Sequence, residues 1–517
     1  MLRCNKVDKT DWLDRIYLSG KREPFGIVPS ALDLPGNEAF EVQMFGIYGA
    51  NGTYAKGEFT VTLTDGLLAY RVLDSRNALI ATCYGLVLEG ALGDGLSMAQ
   101  GDILFADPLT DIESFETRVL PRIQGNFFVR THDELPARLY PNEGGTIPLV
   151  YCAKSGRIAS SAGLMFEADE YEERLDRARY ERLVGGEIKG AWVPLSLTAH
   201  EGLSRLVPHH YLDLESWEQK RFWPRRGDLD LDMTLDEVAQ TCLRAMADFT
   251  AAGVAQVGRI SPTLTAGFDT RILLATARQS VESLDWFTFG RDPLHIDHAL
   301  PKALAETLGL SHNFLDTPRA SEAQIKAWDR AVGHGVRESN RETHPALDQL
   351  SNAFIMTGLY GENGRSRMYA SDFKTINEKT ASVDMVVGRL GLPKAPEIMQ
   401  AVEQWLDPIA YLPTSCILDL AFHEIKFGTW AMAQVPAQHA IRPALLPFAQ
   451  RDVQRAFMAT DPKVKTTQAL FQRIGELGWS EAMALPVNRF GDYRDPLFKL
   501  RKLMSRAHAT RLLRRFT

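Results

Sequence analysis

The hydrophobic period changes near residue 225, and that change limits the folds open to the chain. Before it, short apolar runs alternate with turn residues, as in EFTVTLTDG, LLAYRVLD, ALIATCYGLVL, GNFFVRT, IPLVYCAKSG and RIASSAGLMF. This pattern predicts stacked antiparallel strands, followed by a helical stretch over Asp169–Leu183. The charged, low-complexity piece Arg225-Arg226-Gly227-Asp228-Leu229-Asp230-Leu231-Asp232 reads as a linker. Beyond it, Thr234 and Glu237 form a capping box, and Leu235, Val238, Cys242, Met246 and Phe249 recur three or four apart on one face. VAQVGRISPTLTAGFDTRILLATAR then reads as strand, loop and helix, LDWFTFG as a strand, HALPKALAETLG as a helix and HNFLD as a strand. Repeated βα units imply a parallel sheet covered by helices. From about Ala320 the pattern is mostly helical. A chain of 517 residues exceeds one hydrophobic core, so the reading is an α/β protein of two domains, 1–225 and 226–517.

Composition excludes several classes. A net charge of −7 argues against a surface built for nucleic acid. Among apolar runs none reaches the roughly 18–20 residues of a membrane-spanning helix, and the opening MLRCNKVDKTDW has no apolar export core, so a cytoplasmic protein without a transmembrane segment is expected. The five cysteines are scattered, with no CxxC pair, which fits buried reduced thiols rather than a disulfide framework or a zinc site.

The segment Thr265-Ala266-Gly267-Phe268-Asp269-Thr270-Arg271 sits where a strand gives way to a helix. Such a loop offers backbone N–H groups and the positive end of a helix dipole to phosphate, and Asp269 is a candidate ligand for magnesium. Small residues also occur at such turns for reasons of turn geometry alone.

The order of these residues resembles the S-G-G-x-D-S pyrophosphate loop of the asparagine synthetase family. Trp286-Phe287-Thr288-Phe289-Gly290, Asp297, Ala299 and Leu304–Leu310 with His312 are similar to that family's next strand and helix. Gly202-Leu203-Ser204-Arg205-Leu206-Val207-Pro208-His209-His210-Tyr211-Leu212 resembles its G-I-x-x-L-x-P-G-H-Y-L stretch, and Phe222-Trp223 its Y-W pair. Gly125–Phe128, Pro148–Tyr151 and Ser160-Ser161 echo the strands of its glutamine-amidotransferase domain. The resemblance implies an N-terminal Ntn-hydrolase-like sandwich and a C-terminal ATP-pyrophosphatase domain. It also implies ATP and Mg2+ as cofactors, with Thr265, Ala266, Gly267, Asp269, Thr270, Arg271 and Phe289 at the nucleotide.

Departures from the pattern shape the expected reaction. Glutamine-using members start on a cysteine nucleophile, whereas here position 2 is Leu and Cys4 follows Arg3. The N-terminal domain is therefore expected to lack glutaminase chemistry. The family's S-G-x-G-x-D-E loop corresponds to Tyr360-Gly361-Glu362-Asn363-Gly364-Arg365-Ser366-Arg367, with the Asp falling near Arg365. With a shifted register Glu362 joins Asp269 as metal ligand, while Gly361 and Arg365 face phosphate; a surface turn is the alternative. His423–Trp430, containing Glu424 and Lys426, resembles the family's helix bearing a Glu and a basic residue. Glu424 and Lys426, two apart, point to different sides of a helix. The late lysine that balances charge on an acyl-adenylate has Lys463, Lys465 or Arg489 as candidates. The basic C-terminus Lys499–Arg515 suggests a leader-peptide or carrier-protein partner or an anionic membrane surface, or else a solvated helix.

The reaction implied is adenylation of a substrate carboxylate, releasing pyrophosphate, then capture by an amine without glutamine hydrolysis. Glu424, Lys465 and Arg489 are the expected catalytic residues, and a small molecule or peptide carrying both carboxylate and amine is the expected substrate. A degenerate synthetase that binds nucleotide or a partner without catalysis is the rival.

Overall fold

The computed structural model describes residues 46–49, 59–62, 68–132, 134–186, 190–292, 294–338, 340–439 and 441–496. Cys4 and the basic stretch 499–515 lie outside the described residues. The protein is mixed α/β, with a large mixed sheet and many helices.

The N-terminal half is built on two sheets. One has eight strands, ordered Gln219–Arg221, His210–Asp213, Arg138–Pro141, Gly125–Thr131, Leu79–Val87, Leu68–Leu73, Asp102–Phe105 and Leu96–Ala99. Its neighbours are antiparallel except the pair Leu68–Leu73 and Asp102–Phe105, which run parallel. The other has five strands, with Leu149–Cys152 between Ser204–Leu206 and Arg157–Ala159. Tyr84, Phe128 and Leu139 of the first sheet share one buried cluster with Leu149, Ile158 and Leu206 of the second, so the sheets pack face to face. The expected strands are present, except that RIASSAGLMF is a strand only over Arg157–Ala159 and turns helical at Ala162–Met165, and the expected helical stretch is two short helices, Ala168–Arg174 and Arg177–Val184.

The expected linker is tied down. Arg225 pairs with Glu116, Arg226 stacks over Tyr411 at 4.4 Å, and the Asp228 carbonyl accepts from Arg455 at 2.6 Å. After it, the helix Leu235–Val257 opens with the expected Thr234–Glu237 capping box and buries Val238, Cys242, Met246 and Phe249. It runs further than the sequence suggests. VAQV continues the helix to Gly258, whose φ of 80° ends it, and the strand that follows is only Ile260–Pro262.

That strand is the centre of a parallel layer. Reading across, the order is His312–Leu315, Trp286–Phe289, Ile260–Pro262, Phe354–Met356 and Ala444–Leu445, with the Ile260–Leu284 and Thr263–Phe287 bridges joining its two parts. The first strand in the chain lies in the middle, the next two to one side and the last two to the other. Strand order therefore reverses between Ile260–Pro262 and Phe354–Met356, which is where open α/β sheets leave a crevice at their carboxyl ends. Phe354–Met356 and Ala444–Leu445 fall in the region expected to be helical.

Core packing crosses from one half to the other. A single buried cluster runs from Tyr70, Val87 and Phe127 to Phe249, Tyr360 and Phe457, and the Asn126 amide donates to the Ala444 carbonyl at 2.7 Å. The helices Ala162–Met165 and Glu322–Val332 touch so closely that a Cβ on Gly163 would sit 1.7 Å from the Arg330 carbonyl oxygen. Gly163→Ala should therefore destabilise the protein by about 2–3 kcal/mol, since backbone must shift to admit the methyl. Calorimetric melting checks this; an unchanged melting temperature would show that the two helices do not meet.

Candidate functional site

Two loops meet at the carboxyl ends of the strands where the strand order reverses, the place where the general rule for open α/β sheets sets a crevice. The first follows Ile260–Pro262 and leads into the helix Phe268–Thr276. Its hydroxyls lock it internally: Thr270 Oγ1 accepts from the Thr265 N–H at 3.1 Å and lies 3.0 Å from Thr265 Oγ1, which accepts from the Gly267 N–H at 3.2 Å. The Ala266 N–H donates to Asp297 at 2.8 Å. Gly267 is the N-cap, with an ordinary φ of −83° and no side chain to cap the first turn. The helix start therefore has no side-chain cap, and Gly358 of the second loop packs over its first turn.

The second loop follows Phe354–Met356 and lies directly on the first. A Cβ on Gly358 would come within 2.8 Å of the Asp269 Cβ, and one on Gly361 within 2.8 Å of Asp269 Oδ1, so both positions need glycine for this approach. Arg365 Nη2 donates to Asp269 Oδ2 at 2.6 Å and lies 3.7 Å from Glu362. Asp269 Oδ1 is buried without a hydrogen-bond partner. Burial, offset in part by Arg365, pushes the Asp269 carboxyl up to about 6.

Other residues border the crevice. Phe289, at the carboxyl end of its strand, leaves 44% of its surface exposed while its ring meets Phe287 edge-on. The Asn488 N–H donates to the Ala266 carbonyl at 2.9 Å, which brings exposed Arg489 beside the first loop. Lys426 was missed as a candidate. Its Nζ sits 3.7 Å from the Trp192 ring centroid and 4.5 Å from that of Trp430, burial brings it down to about 8, and the Glu362 carboxylate works against that. The signal was present in the sequence as Lys426 four residues before Trp430, but Trp192 is far away in the chain.

Three expected residues lie elsewhere. Arg271 is fully buried and donates to the carbonyls of Ala482, Leu485 and Pro486, so it anchors the segment before Arg489 and does not face a ligand. Lys465 is enclosed and pairs with Asp419, which also accepts from Tyr369 at 3.0 Å. Glu424 belongs to a buried network at the junction of the two halves.

That network is built around His209. Glu143 Oε1 lies 2.6 Å from its Nε2 and Glu424 Oε1 2.7 Å from its Nδ1. Arg451 donates to Glu143, Arg221 donates to both Glu424 oxygens at 2.8 and 2.7 Å, and the Trp405 indole adds a third donor at 2.6 Å. Two carboxylates on the two ring nitrogens require both to donate, so His209 is an imidazolium. His423, stacked on it at 4.8 Å, donates from Nε2 to the Glu143 carbonyl at 2.9 Å and has the Asn363 amide 3.3 Å from Nδ1; burial, and then the charge on His209, lower it below its ordinary 6.5, which makes it the neutral partner. Glu143, His209 and His423 offer atoms within 4.8 Å of one another, a donor set able to hold a metal ion, yet every ring nitrogen is already hydrogen-bonded. His209 has a φ of 62° and Tyr360, whose ring lies 4.7 Å from His423, a φ of 72°. Both adopt the left-handed backbone that favours glycine. The four described cysteines are buried and unpaired.

Comparison of the chain with protein-family models and with curated proteins finds no match.

The network fixes a pH dependence. Burial works against the His209 charge, but Glu143 and Glu424 outweigh it, so His209 titrates above its ordinary 6.5. Burial also opposes the two carboxylates, but Arg451 and His209 hold Glu143 below its ordinary 4.5, and Arg221 and His209 do so for Glu424. The stabilisation from His209 is full below 6.5 and is lost as pH rises through its raised value; that of the carboxylates is present above 4.5 and fades in acid. His209→Gln should cost about 3–5 kcal/mol near pH 6, and the gap in melting temperature from the native protein should narrow as pH climbs above His209's value. A gap constant from acid to alkaline pH would show that His209 is not charged.

Proposed function

We propose that the protein is an ATP-dependent synthetase that adenylates a carboxylate and couples it to an amine without glutamine hydrolysis. The observation that carries this reading is the meeting of the Thr265–Thr270 and Gly358–Arg365 loops at the carboxyl ends of adjacent parallel strands, where the strand order reverses. In this reading the N-terminal sheets are an Ntn-hydrolase-like sandwich without its nucleophile, and the C-terminal layer is an ATP-pyrophosphatase domain of the asparagine synthetase type.

Backbone geometry supports the shifted register of the second loop. Laying S-G-x-G-x-D-E on Thr357-Gly358-Leu359-Tyr360-Gly361-Glu362-Asn363 starts it immediately after the Phe354–Met356 strand. Tyr360, with φ of 72°, then takes the place of the second glycine, and Glu362 that of the Asp. The same alignment puts His209, φ 62°, at the glycine of P-G-H-Y-L.

The chemistry follows from charge and position. A substrate carboxylate attacks the α-phosphorus of ATP and pyrophosphate leaves; an amine then attacks the acyl carbon and AMP leaves. The Thr265–Thr270 loop and the uncapped helix start receive pyrophosphate, Phe289 lies beside the base, and Arg489 and Lys426 balance oxyanion charge. Lys426 replaces Lys465 in the role of the late lysine. The resemblance would place magnesium on Asp269 and Glu362, but Asp269 has one oxygen sealed and the other bonded to Arg365, so its carboxylate offers that ion no ligand. A peptide or small molecule bearing both carboxylate and amine, closed into a lactam or macrolactam, is the substrate class that needs no glutaminase. The basic C-terminus would hold a peptide or carrier protein. Among the described residues no helix is long and apolar enough to cross a membrane, and we place the reaction in the cytoplasm.

Calorimetric titration should show ATP binding, weakened about fivefold in Phe289→Ala, since stacking on an aromatic ring contributes about 1 kcal/mol. No ATP binding would sink the proposal. The Asp269–Arg365 pair and the enclosed Lys465 favour a second reading, a nucleotide- or partner-binding relative without catalysis. Appearance of AMP and pyrophosphate with a competent acid decides against it.

A further inference from the structure

We propose that Arg365 is a tethered cation standing where a magnesium ion would be expected, so that nucleotide enters this crevice without a divalent metal. The inference rests on the reading of the crevice as a nucleotide site. It changes the chemistry of that site, because a cofactor becomes a side chain.

The geometry of the carboxylates carries it. Magnesium takes six oxygens at close to octahedral angles and keeps several waters. Asp269 Oδ1 is covered by the Gly361 backbone, where even one added carbon would lie 2.8 Å away, and Gly358 closes over its Cβ. Asp269 Oδ2 is 2.6 Å from Arg365 Nη2, and the same nitrogen lies 3.7 Å from Glu362. A hydrated ion has no room at the first oxygen and meets a positive charge at the second.

Arg365 has the properties the missing ion would supply. Its guanidinium is charged at any working pH, binds phosphate oxygens in pairs, and sheds water more readily than an ammonium ion. It is held in place, with 14% of its side chain exposed and the Phe471 ring 5.8 Å beneath it. Its Nε is buried and has no acceptor, so hydrogen-bonding capacity remains. Around it stand two carboxylates, Asp269 and Glu362, and two further cations, Arg367, 3.4 Å from Glu362, and Lys426, which interacts with the same carboxylate, so that with Arg365 there are three cations to two anions. The excess of one positive charge attracts a polyphosphate, and it is present before any metal arrives.

Calorimetric titration with ATP, in EDTA and in excess magnesium chloride, tests this on the native full chain and on Arg365→Met. The native protein should bind in both buffers with affinities within about threefold, and Arg365→Met should lose at least about tenfold in EDTA, the loss expected for a charge-assisted phosphate contact. Native binding that is more than about tenfold weaker in EDTA would overturn the inference and leave the synthetase reading standing. Absence of binding in both buffers would overturn the nucleotide site itself, and the inference with it. Should Arg365→Met fail to fold, as judged by its circular dichroism, the native comparison alone decides.

Discussion

His209 carries a charge in the interior because two carboxylates, one from each half of the chain, grip its two ring nitrogens. Glu143 comes from the strand-rich half and Glu424 from the wide helix Ala421–Ala431 of the other half. Each carboxylate is held in turn by an arginine, Arg451 for Glu143 and Arg221 for Glu424, so the contacts cross the junction repeatedly. An exposed pair such as Arg177–Glu172 contributes at most about 1 kcal/mol, whereas removing one member of a buried set costs several. The junction is therefore specified by a few polar groups that tolerate one arrangement, with apolar packing filling the space around them.

The crevice inherits its geometry from that junction. Two residues after Glu424, the wide helix presents Lys426 to Trp192 of the other half. Tyr360, at the start of the second loop, packs on His423 and donates to the Gly144 carbonyl, so the loop that covers Asp269 is braced against the strand-rich half. Two positions near the junction in left-handed backbone, His209 and Tyr360, carry large rings, and both rings lie against His423. A glycine at either place would keep the turn and leave the space unfilled. The polar residues thus fall into two sets: Glu424, Lys465 and Arg271 hold elements together, while Phe289, Arg489, Lys426 and Arg365 lie around the two loops.

Local structure was legible where one stretch of chain decides it. The Thr234–Glu237 box, the buried face of the helix it opens and the strands Trp286–Phe289 and His312–Leu315 follow from spacing alone. Phe354–Met356 and Ala444–Leu445 did not show, because three and two residues are too short for a period and an apolar triplet fits a buried helix equally well. The loop at Thr265–Thr270 was visible as a loop. The second loop, Tyr360–Arg367, was legible through the resemblance, but its direct contact with the first was not, since Arg365 meets Asp269 across 96 positions, just as His209 meets Glu424 across 215. Nothing local distinguishes an arginine that faces a ligand from one that, like Arg271, satisfies carbonyls in the interior.

Photolabelling with 8-azido-ATP tests most directly whether nucleotide lies at the reversal of strand order. Covalent label recovered on the peptides containing Phe289 or Thr265–Arg271, and suppressed by excess ATP, is the predicted result. Label confined to other peptides, or insensitive to competing ATP, would contradict the account.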